Sequence, residues 1–209
     1  MPSKNIIKEF TPESYYHIYN RGVEARKIFL DNQDYTVFLG LLKKYLTGES
    51  GGLKNQNRHV FKNFHSELKL LAYCLMPNHF HLLFYQIPEA AVSQFMRRVT
   101  TGYVMYFNDR YQRRGGLFEG IYKASQINAD AYLHHISRYI HLNPDKYESW
   151  PYSSFPVYIG KKKTQWVDTR PILELFNSPQ EYKEFVADYE DSRAELRVLK
   201  HQLANADEA

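Results

Sequence analysis

Residues 68–85 read LKLLAYCLMPNHFHLLFY, two apolar runs divided by Pro77-Asn78. Each run has the length of a strand and the Pro-Asn pair is turn chemistry, so the segment predicts two strands joined tightly as a hairpin. Inside the second run, His79 and His81 flank Phe80. Side chains two residues apart on a strand share a face, so the imidazoles project together and Phe80 projects to the other side. An imidazole buried without a partner is costly. The pair is therefore either half of a metal site or two histidines on a solvated sheet face.

Working outward, YYHIYNR at 15–21 alternates aromatic and β-branched residues and predicts a first strand, ended by Gly22. From Asp34 to Leu46, the residues Tyr35, Phe38, Leu41, Leu42 and Tyr45 recur at helical spacing. Beyond the hairpin, Glu89 to Tyr111 predicts a long amphipathic helix, with Val92, Phe95, Met96, Val99, Tyr103, Tyr106 and Phe107 on one face. Arg113-Arg114-Gly115-Gly116 breaks it, and Leu117 to Ile127 alternates as a strand. Asn128 or Asp130 can then cap a helix running to Leu142, stopped by Asn143-Pro144. This order predicts an α+β chain, a ferredoxin-like antiparallel sheet with helices packed on one face.

The main domain is expected over residues 1–156, with the polar, Gly-rich segment 47–66 as a long loop or insertion. Residues 157–209 form a C-terminal extension, basic at Lys161-Lys162-Lys163 and acidic afterwards, expected to be partly helical.

Composition narrows the class. The single cysteine, Cys74, excludes an internal disulfide framework and suits a reducing cytosol. MPSKNIIKEF has no apolar segment behind its positive charges, and no apolar run approaches the ~18 residues that span a bilayer. A cytoplasmic protein without membrane contact is the expectation. Net charge is +4 overall, and the stretch from Arg97 to Lys123 alone carries as much, while the chain from Ser178 onward is acidic. A basic middle suits a polyanion, and the 18 tyrosines suit either stacking on bases or β-rich packing.

The helix ending ISRYIHLNP supplies more chemistry. Leu133, Ile136 and Ile140 share its core stripe, and Tyr139 and Asn143, four apart, stack at the edge of that stripe. A phenol and an amide oxygen thus reach one place. The plainer reading is a tyrosine at a core margin and an Asn closing the helix before Pro144.

Together these pieces carry a resemblance. MPNHFHLL resembles the HUH motif of single-strand DNA transposases, two histidines around one hydrophobic residue, and RYIHLNP resembles the catalytic-tyrosine helix of the single-tyrosine branch. YYHIYNRG, GGLFEGIYKA and WPYSSF resemble further segments of the REP-associated tyrosine transposases, relatives of the small single-tyrosine insertion-sequence transposases. The similarity runs in the family's order from residue 15 to residue 155.

The resemblance implies His79, His81 and Asn143 as metal ligands, magnesium or manganese as the divalent cation, and Tyr139 as nucleophile. Many insertion-sequence relatives have Gln where Asn143 stands, and the REP-associated branch has Asn. It also implies a substrate of single-stranded or hairpin DNA, drawn from repetitive palindromic or transposon-end elements, acted on by a monomer or a homodimer. A base for Tyr139 is open between His135, one turn earlier, and Lys123; either could contact phosphate instead. Arg97, Arg98, Arg110, Arg113, Arg114 and Arg21, with Arg26, are the candidates to meet the DNA backbone, and Tyr103 or Tyr106 to stack on bases unless they are core. Two other activities fit parts of the sequence. A non-catalytic single-strand-binding module on the same sheet leaves the histidines and Tyr139 without a task. A zinc hydrolase needs an Asp or Glu to complete the histidine pair, and no HExxH-type spacing is present. A domesticated relative would share the transposase chemistry in a housekeeping role.

Overall fold

A computed structural model describes residues 9–47, 62–127 and 130–189. Four strands form one sheet: β1 (Ser14–Arg21), β2 (Leu68–Met76), β3 (His79–Gln86) and β4 (Lys123–Ile127), in the order β2-β3-β1-β4. Every neighbouring pair is antiparallel. With α1 (Asn32–Thr47) after β1 and α2 (Ala91–Arg110) after β3, the connectivity is the β-α-β-β-α-β of the ferredoxin-like fold.

The alternation read in β3 organises the interior. Phe80, Leu82 and Phe84 turn to one face, where they meet Phe38 and Leu42 of α1 and Phe95, Val99 and Tyr103 of α2. Burying each of these large side chains stabilises the fold by roughly 1.5–3 kcal/mol. Tyr103 and Tyr106 belong to this layer: Tyr103 donates its hydroxyl to the Ile28 carbonyl, and Tyr106 donates to Asp34.

The helices are divided between both faces of the sheet, where the sequence suggested one. The reason lies in β2, whose LKLLAYCLM run is apolar on both sides and so needs cover on both. A register shift between Leu70 and Ala72 accompanies the switch: Leu70 enters the first core, whereas Leu71 and Ala72 enter a second. That second core is closed by α3 (Asp130–His141) through Leu133, Ile136, Tyr139 and Ile140. Three short helices follow, α4 (Phe155–Tyr158), α5 (Arg170–Leu173) and α6 (Pro179–Ala187). Their Phe155, Tyr158, Ile172, Tyr182 and Val186 pack into the same core. In α6 the SPQE run does the local work, Ser178 accepting from the Glu181 amide with Pro179 in the first turn.

WPYSSF protects an edge. The outer side of β2 would present unpaired amides and carbonyls, but Leu75 donates to the Tyr152 carbonyl, Ser154 donates to the Tyr73 carbonyl, and the Trp150 indole donates to the Leu75 carbonyl.

The strand expected over Leu117–Ile127 is shorter, since β4 begins at Lys123. Leu117 and Tyr122 both enter the first core. Their odd spacing would put them on opposite faces of a regular strand, so the backbone bends between them. Gly22 sits where only glycine fits, because a Cβ there would lie 2.2 Å from the Arg26 carbonyl oxygen. The loop it opens wraps the hairpin turn, Ile28 and Phe29 both donating to the Pro77 carbonyl.

Of the expected polar segment 47–66, residues 48–61 lie outside the described residues, as do Asn128 and, in the C-terminal extension, residues 190–209. Among the described residues no helix is long and apolar enough to cross a membrane.

Candidate active site

Cross-strand register fixes what the histidines face. His79 is paired with Met76 and Arg21, and His81 with Cys74 and Tyr19, the latter paired in turn with Lys123. His17 of β1 stands two residues before Tyr19 and so points to the same side. Three imidazoles, one phenol and two basic side chains therefore occupy the face that α3 covers.

The hydrogen bonds around His79 define its protonation. The Asn78 amide nitrogen donates to the Ala25 carbonyl at 3.3 Å, which turns its oxygen towards the His79 Nδ1, 2.7 Å away. That oxygen can only accept, so Nδ1 carries a proton, and in the neutral ring Nε2 carries the lone pair. Asn143 is oriented in the same manner. Its amide nitrogen donates to the Tyr139 carbonyl at 3.0 Å, an end-of-helix carbonyl, and its oxygen then lies 3.4 Å from the His79 Nε2. Helix cap and candidate ligand, offered as alternatives by the sequence, are thus one residue acting through two atoms. Two electron-pair donors held face to face are what a cation would bridge, since cis ligands of a divalent ion at about 2.1 Å are about 3 Å apart.

His81 lies beside this pair, its ring centroid 5.0 Å from that of His79 and nearly perpendicular to it. Its Nδ1 is 2.9 Å from the Nε2 of His17. His17 is 1% exposed, and burial drives its pKa down to about 3, so the ring is neutral. Tyr139 completes the cluster from α3, with its ring 5.4 Å from His81 and 5.8 Å from His17. Burial pushes the phenol above its ordinary pKa, with a hydrogen bond from the Asn143 side chain acting in the opposite sense. Helix-borne phenol and strand-borne imidazoles thus meet within a single chain.

Among the described residues no three His, Cys, Asp or Glu side chains gather as a metal cluster. The donor set here is two imidazoles, which suit manganese or zinc better than magnesium, and an amide oxygen; substrate and water oxygens would complete the shell of magnesium or manganese. Among the described residues no Asp or Glu joins the histidine pair as the acidic third ligand that a zinc hydrolase would need.

The remaining expected site residues are distributed unevenly. Lys123 shares the histidine face, with its ammonium 6.0 Å from the centre of the Tyr19 ring. His135 is turned to Arg138, whose guanidinium lies 2.8 Å from its Nδ1 and stacks over Phe185 and Tyr189. Arg21, paired with His79, is exposed and bridges to Glu119 at 2.8 Å. Arg97, Arg98 and Arg114 are exposed, but α2 packs on the opposite face of the sheet from the histidines. Arg110 is committed to Asp31 and the buried Asp34, and Arg113 to Asn108 and the ring of Phe107. Arg26 binds its own loop through the Val23 carbonyl and Glu24.

Three residues of the cluster, His17, Tyr19 and Asn78, escaped sequence reasoning. The YYHIYNR alternation places His17, Tyr19 and Arg21 on one face, but only the strand order sets that face beside His81. Asn78 read as a turn residue, and its orienting role depends on how loop 22–29 wraps the turn.

A ferredoxin-like sheet whose paired histidines meet a helix tyrosine is the layout that the likeness to single-tyrosine transposases implies. Residues 13–143 match the family model described as IS200-like transposase, and the chain belongs to that family. Among solved structures, it is similar to a REP-associated tyrosine transposase bound to a REP hairpin, at 16% identity and a TM-score of 0.52, over 78% of this chain and 92% of that one. A candidate transposase from Deinococcus radiodurans aligns at 15% identity and a TM-score of 0.39, over 67% of this chain and 95% of that one. No curated protein sequence matches.

Proposed function

We propose that this transposase-family protein cleaves and rejoins single-stranded or hairpin DNA through a 5′-phosphotyrosine on Tyr139. The observation that carries the reading is the convergence of the Tyr139 ring on His81 and His17, with the facing donor atoms of His79 and Asn143 alongside His81. The Tyr139 oxygen attacks the scissile phosphorus, the bond to the 3′ oxygen breaks, and that oxygen leaves as a 3′-hydroxyl. Because the phosphoester energy is kept in the phosphotyrosine, a 3′-hydroxyl of another strand can reverse the step.

The chain's own groups set the conditions for this attack. Asn143 caps α3 through the Tyr139 carbonyl and turns its oxygen towards His79, and Asn78 fixes the His79 tautomer that leaves Nε2 able to bind an ion. A divalent cation, magnesium or manganese, held by His79, His81 and Asn143 would offset charge on the phosphate in the transition state. Lys123, on the histidine face, is better situated than His135 to take the phenolic proton or to hold phosphate, since His135 is engaged by Arg138. Arg21 would hold the DNA backbone beside His79. The similarity to a REP-hairpin complex supports a folded DNA end as substrate.

The test is incubation with hairpin DNA and Mn(II), followed by denaturing electrophoresis. The reading expects a protein–DNA adduct that Tyr139→Phe abolishes and that chelation or His79→Ala suppresses. Hairpin binding without any adduct would favour the binding module instead, and cleavage that survives Tyr139→Phe would exclude the phosphotyrosine.

A further inference from the structure

His17 has no part in the chemistry above, yet it is buried against one of the proposed ligands. Its Nε2 is 2.9 Å from the His81 Nδ1, and its own Nδ1 is buried with no hydrogen-bond partner among the described residues. With both rings neutral, one proton lies between these two nitrogens, and it can sit on either, giving two arrangements. In the first, the His17 Nε2 donates, His81 accepts on Nδ1, and the His81 proton sits on Nε2. An ion cannot then bind that nitrogen. In the second, the His81 Nδ1 donates to the His17 Nε2. The His81 Nε2 then carries a lone pair, and the proton of His17 sits on the isolated Nδ1.

We propose that His17 is a positioning residue: it accepts the Nδ1 proton of His81 and so holds His81 in the tautomer that offers Nε2 to the divalent cation. The inference rests on the metal-site reading above. It makes His17 the counterpart of Asn78, which does the same for His79 through a side-chain oxygen. That arrangement leaves the His17 N–H on Nδ1 without a partner among the described residues, a local cost that an ion bound at His81 would offset. Ligand histidines are commonly oriented by such outer partners, whose loss weakens metal affinity by about 10–100-fold.

Mn(II) affinity, measured by electron paramagnetic resonance on the whole chain, tests this with His17→Phe, His17→Gln and His79→Ala. We expect His17→Phe to weaken Mn(II) binding by about 10–100-fold. His17→Gln, whose amide oxygen can accept the same proton, should recover most of that loss. Ring-nitrogen NMR of the Mg(II)-loaded wild type should find the proton on the His81 Nδ1, with the His17 Nε2 bare. A folded His17→Phe that binds Mn(II) like the wild type overturns the inference, as does a proton on the His17 Nε2 in the loaded protein. Should His17→Phe fail to fold, the wild-type spectrum decides alone. If His79→Ala binds Mn(II) as the wild type does, or the wild type binds none, the metal reading itself fails and takes the inference with it. If His79→Ala loses the ion and His17→Phe keeps it, only the inference falls.

Discussion

The two faces of the sheet differ in kind. Towards α1 and α2 the interior is mostly apolar, an aromatic layer built on Phe38, Phe80, Phe84, Phe95 and Tyr103, with Asp34 and Gln86 among its buried polar groups, both hydrogen-bonded to α2. Towards α3 and the C-terminal helices it buries His17, His81, Ser137, Arg138, His141 and Ser154 among the apolar groups. The first face stabilises by area; the second holds polar atoms that must each find partners. His141 shows how the second face meets that demand, with its nitrogens 2.7 Å from the Tyr182 hydroxyl and 2.7 Å from the Ser154 hydroxyl. One network thereby ties α3, α6 and WPYSSF together. The contrast teaches that fold stability and reactivity are placed on opposite sides of one four-stranded sheet.

The sharpest way to break this division is to interchange its effects. Tyr139→Phe should lower strand cleavage by at least about 10³-fold in single-turnover assays while leaving the melting temperature nearly unchanged, because the ring stays packed. Phe38→Ala, wholly buried under α2, should do the reverse: about 3–5 kcal/mol lost in denaturant titration, with Mn(II) affinity retained by the folded fraction. A Tyr139→Phe protein that unfolds, or a Phe38→Ala protein that folds but loses the ion, would dissolve the distinction.

Mild acid, between pH 7 and pH 5, should act through the buried histidines of the second face. His17 and His141 are both driven down to about 3 by burial, from an ordinary 6.5. Below about pH 6.5 the unfolded chain binds protons that the folded chain refuses, so their contribution is complete above that pH and is lost as pH falls towards 3. The expected slope is about 1.4 kcal/mol per pH unit for each ring. Denaturant midpoints between pH 7 and pH 5 measure it, and His141→Gln should reduce the slope by one ring's share.

The smallest expected effects concern surface charge. Arg21→Ala, on the histidine face, should weaken hairpin binding and shrink the salt dependence by about one phosphate contact. Arg97→Ala with Arg98→Ala, on the exposed side of α2, should leave cleavage unaltered and stability within about 0.5 kcal/mol. Equal losses from both would mean that DNA wraps around both faces.

Much of this was legible in the chain of residues. The hairpin, the α1 and α2 stripes and the shared face of His79 and His81 follow from periods of 2 and 3.6, which local sterics impose. Tyr139 and Asn143 share a helix side for the same reason. The charge of the Arg97–Lys123 stretch was legible too, but its use was not, since Arg110 sees Asp31 and Asp34 only after α2 docks on α1.

What the sequence by itself determined is therefore local: which segments are strands or helices, and which side chains within a segment look the same way. Tertiary structure alone decided that α3 covers the face opposite α1 and α2, that His17 comes to lie against His81 across 64 residues of chain, and that the Asn143 oxygen faces His79. Those outcomes depend on strand order and on the double-sided burial of β2. Contacts between distant segments are set by which packing excludes the most water while leaving fewest polar atoms unpaired, and no local period encodes that choice.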